Sequence, residues 1–293
     1  MSKIAILTDS SCDIPQEMAE KYGIDIMSFH ILLDDVDYVE RESCTNTEFY
    51  DKMRLSKGVP STAAITPIQF CEKYCQYVDE GYTDVIHVPI NKSGSSTYNN
   101  ALMAQGMLRE ERPEHHMKIH LLDPHTYSMV FGWYLCEMAR KLKNGAEISH
   151  VIQEFEKQMN CMEIILGPYS LKQMKKSGRI SAAAAVMGEL MGVRPIITLI
   201  DGKTKVESKV RGDDKVIPAM IDLCKKRTEG VEDFDYMIGH TSIPQAVELE
   251  KACRRAFGKA PLTTFNLGGV VSANTGPDAL AITFLGKDRG PRG

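Results

Sequence analysis

Along most of this chain, short apolar runs alternate with segments whose apolar residues recur every three to four positions, the spacings of buried strands and of helix faces. Runs at 3–7, 25–33, 84–89 and 118–122 read as strands, while 15–22, 66–79, 96–109 and 128–143 read as helices. This alternation predicts a parallel, doubly wound sheet for roughly the first half of the chain. A turn at Asn144-Gly145 leads into a further helix at 147–158, and then the pattern changes. Strands at 161–166 and 194–200 are followed by a hairpin turn at Asp201-Gly202 into a strand at 205–210. Helices at 213–227 and 244–257 and strands at 236–240, 262–267 and 279–285 complete the series. The expected fold is α/β and two-lobed, with a boundary near 145–160. Residues 1–155 form the parallel-sheet lobe and 156–286 a second α+β lobe, and the Gly/Arg/Pro-rich tail 287–293 is expected to be disordered.

Length and charge narrow the function. The 293 residues suit two lobes with a cleft between them. A net charge of −4 with acids and bases interleaved argues against a nucleic-acid surface. No run approaches the roughly 20 apolar residues of a membrane span, and the N-terminal stretch lacks the apolar region of a signal peptide, so a soluble chain is expected. The eight cysteines are scattered through apolar segments, which suits a reducing cytoplasm. Cys71 and Cys75 stand i,i+4 on an expected helix, but no second pair follows at a zinc-site spacing, and they read as small core residues. No metal or cofactor is expected.

In open α/β sheets ligands sit beyond the carboxyl ends of the strands. Here those ends are rich in hydroxyls: Thr8-Asp9-Ser10-Ser11, Pro60 through Pro67 with Thr62, Ser93-Gly94-Ser95-Ser96, and Asp123 through Ser128. Any one of them reads as an ordinary helix cap. Several at one edge make a neutral cradle for a carboxylate or phosphate. The Ser93–Ser96 turn is the strongest of them, because Gly94 allows close approach of backbone to ligand. It lacks the glycine spacing and lysine of a nucleotide P-loop. In the second lobe a basic segment runs to Ser177-Gly178-Arg179-Ile180-Ser181, and the small-residue run 182–193 follows. The segment Val271 to Pro277 reads as a polar turn before the last strand. A Gly-x-Ser-x-Gly elbow is missing. His87, His125 and His240 leave open the alternative of a serine-dependent acyl hydrolase or transferase using Ser10, Ser11 or Ser95.

Taken in order, Asp-Ser-Ser-x-Asp-Ile-Pro at 9–15, the Thr62 turn, Ser95-Ser96-Thr97-Tyr98, the Asp123…Ser128…Gly132 stretch, Ser177-Gly178-Arg179-Ile180-Ser181 and Lys209-Val210-Arg211-Gly212 resemble the DegV family of bacterial fatty-acid-binding proteins. The resemblance spans nearly the whole chain. It implies a long-chain fatty acid held in an internal tunnel, with its carboxylate bound by Thr62, Ser95 and the backbone N–H of Ser96. Ser10, Ser11, Arg179 and Asn274 are its implied head-group neighbours. It also implies a carrier without chemistry of its own, which presents the acid to a separate ATP-dependent kinase for acyl phosphate formation. This sequence departs from the family pattern in several places: Asn274 stands where the late turn commonly has His, Ile65 where Pro is usual, Thr66 in place of Ser, Ser96 where Gly usually follows the serine, and Gly94 in place of a bulkier residue.

Overall fold

A computed structural model describes residues 3–178, 192–232 and 234–289. Arg179, the small-residue run through 191 and the last four residues of the tail lie outside the described residues. The chain opens with β1 (Ile4–Asp9), a 3-10 turn (Ser10–Cys12), α1 (Gln16–Tyr22) and β2 (Ile24–Met27). It continues through β3 (His30–Leu33), β4 (Val36–Val39), α2 (Asn46–Leu55) and β5 (Ser61–Ala63). Then come α3 (Pro67–Asp79), β6 (Asp84–Val88), α4 (Thr97–Glu111), β7 (Lys118–Leu121), α5 (Met129–Lys143) and α6 (Ile148–Cys161). The rest comprises β8 (Met162–Pro168), α7 (Lys172–Ser177), β9 (Val193–Ile200), β10 (Lys203–Arg211), α8 (Val216–Arg227), β11 (Tyr236–His240), α9 (Gln245–Phe257), β12 (Thr264–Asn266), α10 (Gly269–Thr275) and β13 (Ala279–Leu285).

The expected parallel sheet is present, in the order β2-β1-β6-β7. Its winding follows from the period of two in a strand. Ile6 and Ile86 point into a core shared with α5 and α6, whereas Ala5, Leu7 and Val85 point into a second core with α2, α3 and α4. The second half forms a six-stranded sheet, β10-β9-β8-β13-β11-β12, antiparallel except for the β11–β12 pair. Its faces also alternate: Ile165, Ile196, Leu280 and Ile282 pack under α8 and α9, and Ile164, Leu166, Ile197 and Ala281 face the first core. The Asp201-Gly202 turn closes the β9–β10 hairpin with both residues at positive φ, 51° and 72°, the geometry that matches strand twist.

Three sequence expectations need correction, and one helix, α2, was not among them. The run 25–33 is two strands: after β2 the chain leaves the parallel sheet, and Phe29 N donates to Ser10 Oγ at 3.0 Å as β3 starts a separate three-stranded sheet, β4-β3-β5. Strand β5 itself occupies part of what reads as a turn. Helix α2 was signalled by a capping box, in which Thr45 Oγ1 accepts from Glu48 N and Glu48 returns a bond to Thr45 N. The polar turn at 271–277 is mostly α10, a seven-residue helix. Its sequence has two N-terminal glycines and no capping side chain, so its start is stabilised from elsewhere in the fold.

Candidate functional site

Between the three-stranded sheet, the N-terminus of α4, α10 and the inner face of the six-stranded sheet lies a cavity of about 190 Å³. Register builds its apolar floor. Ile164 lies opposite Leu199 on one side and Thr283 on the other, and Leu166 lies opposite Ile197 and Ala281. These six residues form two rows running across three strands, and all of them line the cavity. Phe265, Leu267, Val270 and Val271 close the space from the α10 side.

The polar end is made of neutral groups. Thr62, Ser95, Ser96 and Asn274 line this one cavity, although they come from residues more than 200 positions apart. Thr62 is the middle residue of β5, placed by its pairing with Ile31. Ser95 sits in the turn before α4, where Thr97 N–H donates to its Oγ at 3.2 Å and the two hydroxyls lie 2.8 Å apart. When the buried Thr97 hydroxyl supplies the proton of that pair, Ser95 keeps its own proton for the cavity. Ser96 is the N-cap residue of α4 and makes no side-chain capping bond, so the positive end of a 15-residue helix dipole faces this region. Asn274 Nδ2 donates back to Val270 O at 2.9 Å within α10. Among the described residues, the cavity wall carries no carboxylate, imidazole, ammonium or guanidinium group.

Two supports of this end escape a reading of sequence alone. Asn100 Nδ2 donates to Ile65 O at 2.7 Å, tying α4 to the segment after β5 and so fixing Ser95 relative to Thr62. Tyr127 also lines the cavity, and a Cβ on Gly94 would fall 2.1 Å from its hydroxyl oxygen. Gly94 is therefore the space into which Tyr127 fits. On the opposite side, a Cβ on Gly202 would lie 2.3 Å from both Asn91 Nδ2 and Ser93 Oγ, so the tip of the β9–β10 hairpin rests on the same turn. Periodicity cannot reveal such contacts; the isolated glycines were the available signal.

Ser10 and Ser11, the other hydroxyls at a strand end, do not line this cavity. Both are buried and committed. Ser11 N donates to Asp9 Oδ1 at 3.1 Å, and Ser10 Oγ donates to Glu40. They belong to a buried acidic network directly behind the cavity wall. Asp9 Oδ2 accepts from Ile90 N at 2.6 Å, and Glu40 Oε1 accepts from Val270 N at 2.8 Å, capping α10. Asp13 accepts from Ser128, whose own residue lines the cavity. A Cβ on Gly268 would lie 2.1 Å from Asp13 Oδ1 and 2.8 Å from Glu40 Oε1, so glycine is required where these carboxylates close on the α10 start. Burial dominates their titration: it pushes Asp9 up to about 7, Asp13 well above the usual carboxylate range and Glu40 upward, against the lowering effect of their hydrogen bonds.

The histidines are placed otherwise. His87 is fully buried with Nδ1 2.6 Å from Tyr74 OH, and burial holds its pKa down to about 3. His240 Nδ1 accepts from Ser242 N at 3.0 Å, and His125 Nδ1 lies 3.3 Å from Asp123. None of the three lines the cavity.

This combination defines an α/β protein with an apolar internal cavity and an uncharged polar end. A family model described as "Uncharacterised protein, DegV family" matches residues 3–287, and the chain belongs to the DegV family. It is 28% identical over 287 residues to a DegV domain-containing protein of Caldanaerobacter subterraneus, an alignment that covers 97% of this chain and 99% of that one. Its fold matches that of a stearic acid-binding protein from Eubacterium ventriosum with a TM-score of 0.88, at 22% identity, over 98% of this chain and 99% of the other. A DegV family protein from Thermus thermophilus, described as binding fatty acid, matches with a TM-score of 0.84, at 22% identity, over 97% of this chain and all of the other.

Proposed function

We propose that this protein binds a long-chain fatty acid in the cavity above the six-stranded sheet and presents it, within the cytoplasm, to a separate ATP-dependent kinase that forms the acyl phosphate. The observation that carries the reading is the meeting of two cross-strand rows, apolar but for Thr283, with the hydroxyls of Thr62 and Ser95 in one cavity. Burial of methylenes contributes about 0.8 kcal/mol each, so a long tail contributes on the order of 10 kcal/mol before ordering costs. The Thr62 and Ser95 hydroxyls and the Ser96 N–H at the head of α4 then need only to satisfy the carboxylate. Arg179 and Asn274 are proposed head-group neighbours; Ser10 and Ser11 act through the wall. The binding properties of the Eubacterium and Thermus proteins support this reading.

A carrier fits better than a hydrolase. A nucleophilic serine needs a base within hydrogen-bond reach, and His87, His125 and His240 all lie outside the cavity wall. The test is organic extraction of the purified protein followed by mass spectrometry, with the extracted protein then titrated with stearate. Recovery of about one fatty acid per chain and its rebinding are expected. An extract without long-chain acids, together with no measurable uptake, sinks the proposal; ATP turnover by a candidate kinase that ignores the loaded protein sinks its second half.

A further inference from the structure

Away from the cavity wall, α3 and α4 pack together, and two cysteines of α3 face the C-terminal end of α4. Cys71 and Cys75 are i,i+4 neighbours, 2% and 7% exposed, and Glu111, the last residue of α4, reaches them from the surface. Cys75 Sγ lies 3.6 Å from Glu111 Oε2, and the two sulfurs and a carboxylate oxygen all fall within 4.8 Å of one another. A tetrahedral ion with metal–sulfur bonds of about 2.3 Å and a metal–oxygen bond of about 2.0 Å separates neighbouring sulfur and oxygen ligands by about 3.5 Å and two sulfurs by about 3.8 Å. The Cys75–Glu111 separation of 3.6 Å is close to the sulfur–oxygen value, and the other two separations, within 4.8 Å, need only small rotamer adjustments. The cysteines also pack against the core around Phe70 and Tyr74, as small apolar residues would. A carboxylate arriving from a second helix is what simple packing does not require.

We propose that Cys71, Cys75 and Glu111 form a site for a thiophilic divalent cation of the zinc class, with its fourth position open to water. Two thiolates select soft or borderline ions over magnesium and calcium. Binding breaks two S–H bonds, forms two metal–sulfur bonds and releases both protons to solvent, while Glu111 adds a carboxylate oxygen. Each thiol must lose its proton to bind the ion, so the affinity rises with pH. The neighbouring Arg112, paired with Asp79 at 3.1 Å, offsets part of the ligand charge. Bound metal would staple α3 to α4, the helix whose N-terminus lies at the polar end of the cavity.

The test is titration of the reduced, full-length protein with Co2+, followed by Zn2+. Expected at one equivalent are a sulfur-to-cobalt charge-transfer band in the near ultraviolet and visible bands of tetrahedral strength, both abolished by Zn2+. Cys75→Ser should remove the charge-transfer intensity by half or more, and Glu111→Gln should weaken Zn2+ binding at least about tenfold. A missing band at one equivalent, or a band undiminished in Cys75→Ser, overturns the proposal. Should Cys75→Ser fail to fold, the exposed Glu111→Gln variant decides: unchanged Zn2+ affinity overturns it. Stearate uptake by Glu111→Gln should match wild type, which separates this result from the fate of the cavity proposal.

Discussion

Two strand ends of this protein have almost the same composition and opposite uses. After β1, Asp9-Ser10-Ser11 turns inward, and each hydroxyl is consumed by a carboxylate, Ser11 by Asp9 and Ser10 by Glu40. After β6, among the described residues, the Ser93–Ser96 turn has no carboxylate among the bonds of Ser95 and Ser96, and Ser95 is answered only by Thr97. The first turn is locked by its carboxylates, and the second borders the apolar cavity. The Ser10 and Ser11 hydroxyls are spoken for by acids, whereas that of Ser95 meets another hydroxyl. The two are coupled through the wall, because Val270 and Ser128 touch the acids on one side and the cavity on the other.

The comparison can be broken from either side. Glu40→Ala should have the largest effect, since it strands the Val270 N–H and the Ser10 hydroxyl in a buried site. We expect a loss of about 4 kcal/mol in urea unfolding, with stearate uptake lost as α10 loses its anchor. Thr62→Ala combined with Ser95→Ala should leave the fold intact and weaken stearate binding about 100-fold by calorimetry. That factor corresponds to about 3 kcal/mol of hydrogen bonds to a charged head group. Equal affinity in the double variant would put the carboxylate elsewhere.

Gly94→Ala should cost about 2 kcal/mol by driving a methyl into Tyr127, and Tyr127→Leu in the same chain should recover most of it. The acidic side carries a pH signature. The Asp9 carboxyl titrates near 7 in the folded protein against about 3.9 unfolded, so the native state holds the extra proton and stability falls as pH rises from about 4 to about 7. Asp13 and Glu40 act in the same direction. His87, held near 3 against about 6.5, opposes them between those values. Asp9→Asn should remove about 1 kcal/mol per pH unit of that downward slope in urea melts between pH 5 and 7. Smallest of all, Asn274→Ala should change stability by about 0.5 kcal/mol, through loss of one bond to Val270 O within a short helix.

Most of the parallel sheet was legible because β1 and β6 are continuous apolar runs next to well-punctuated helices, and α3 announces itself through Thr66, Pro67 and Gln69. The hairpin at Asp201-Gly202 was equally plain. What stayed hidden depended on tertiary partners. Strand β5 is three residues long and exists by pairing with β3, and α10 begins on Glu40, 229 positions before its first residue. For the site, hydroxyl-rich strand ends and the family resemblance singled out Thr62, Ser95, Ser96 and Asn274, which the fold gathers around one cavity. Ser10 and Ser11 looked equivalent because the carboxylate that captures Ser10 lies thirty residues away. Asn100 carried no local signal, and Tyr127 only that of its hydroxyl-rich segment and of Gly94.

The two cross-strand rows beneath the cavity also determine which insertions and deletions the chain tolerates. One face of β8, β9 and β13 floors the cavity while the other supports α8 and α9. A single-residue deletion in β8 would therefore exchange Ile164 and Leu166 for their neighbours along the strand. Glu163 and Ile165 would then face the cavity, and residues shaped for the cavity would be turned toward the helices. A two-residue deletion shortens the sheet but keeps each side chain on its own face. The shape of the cavity should therefore drift through changes made in steps of two.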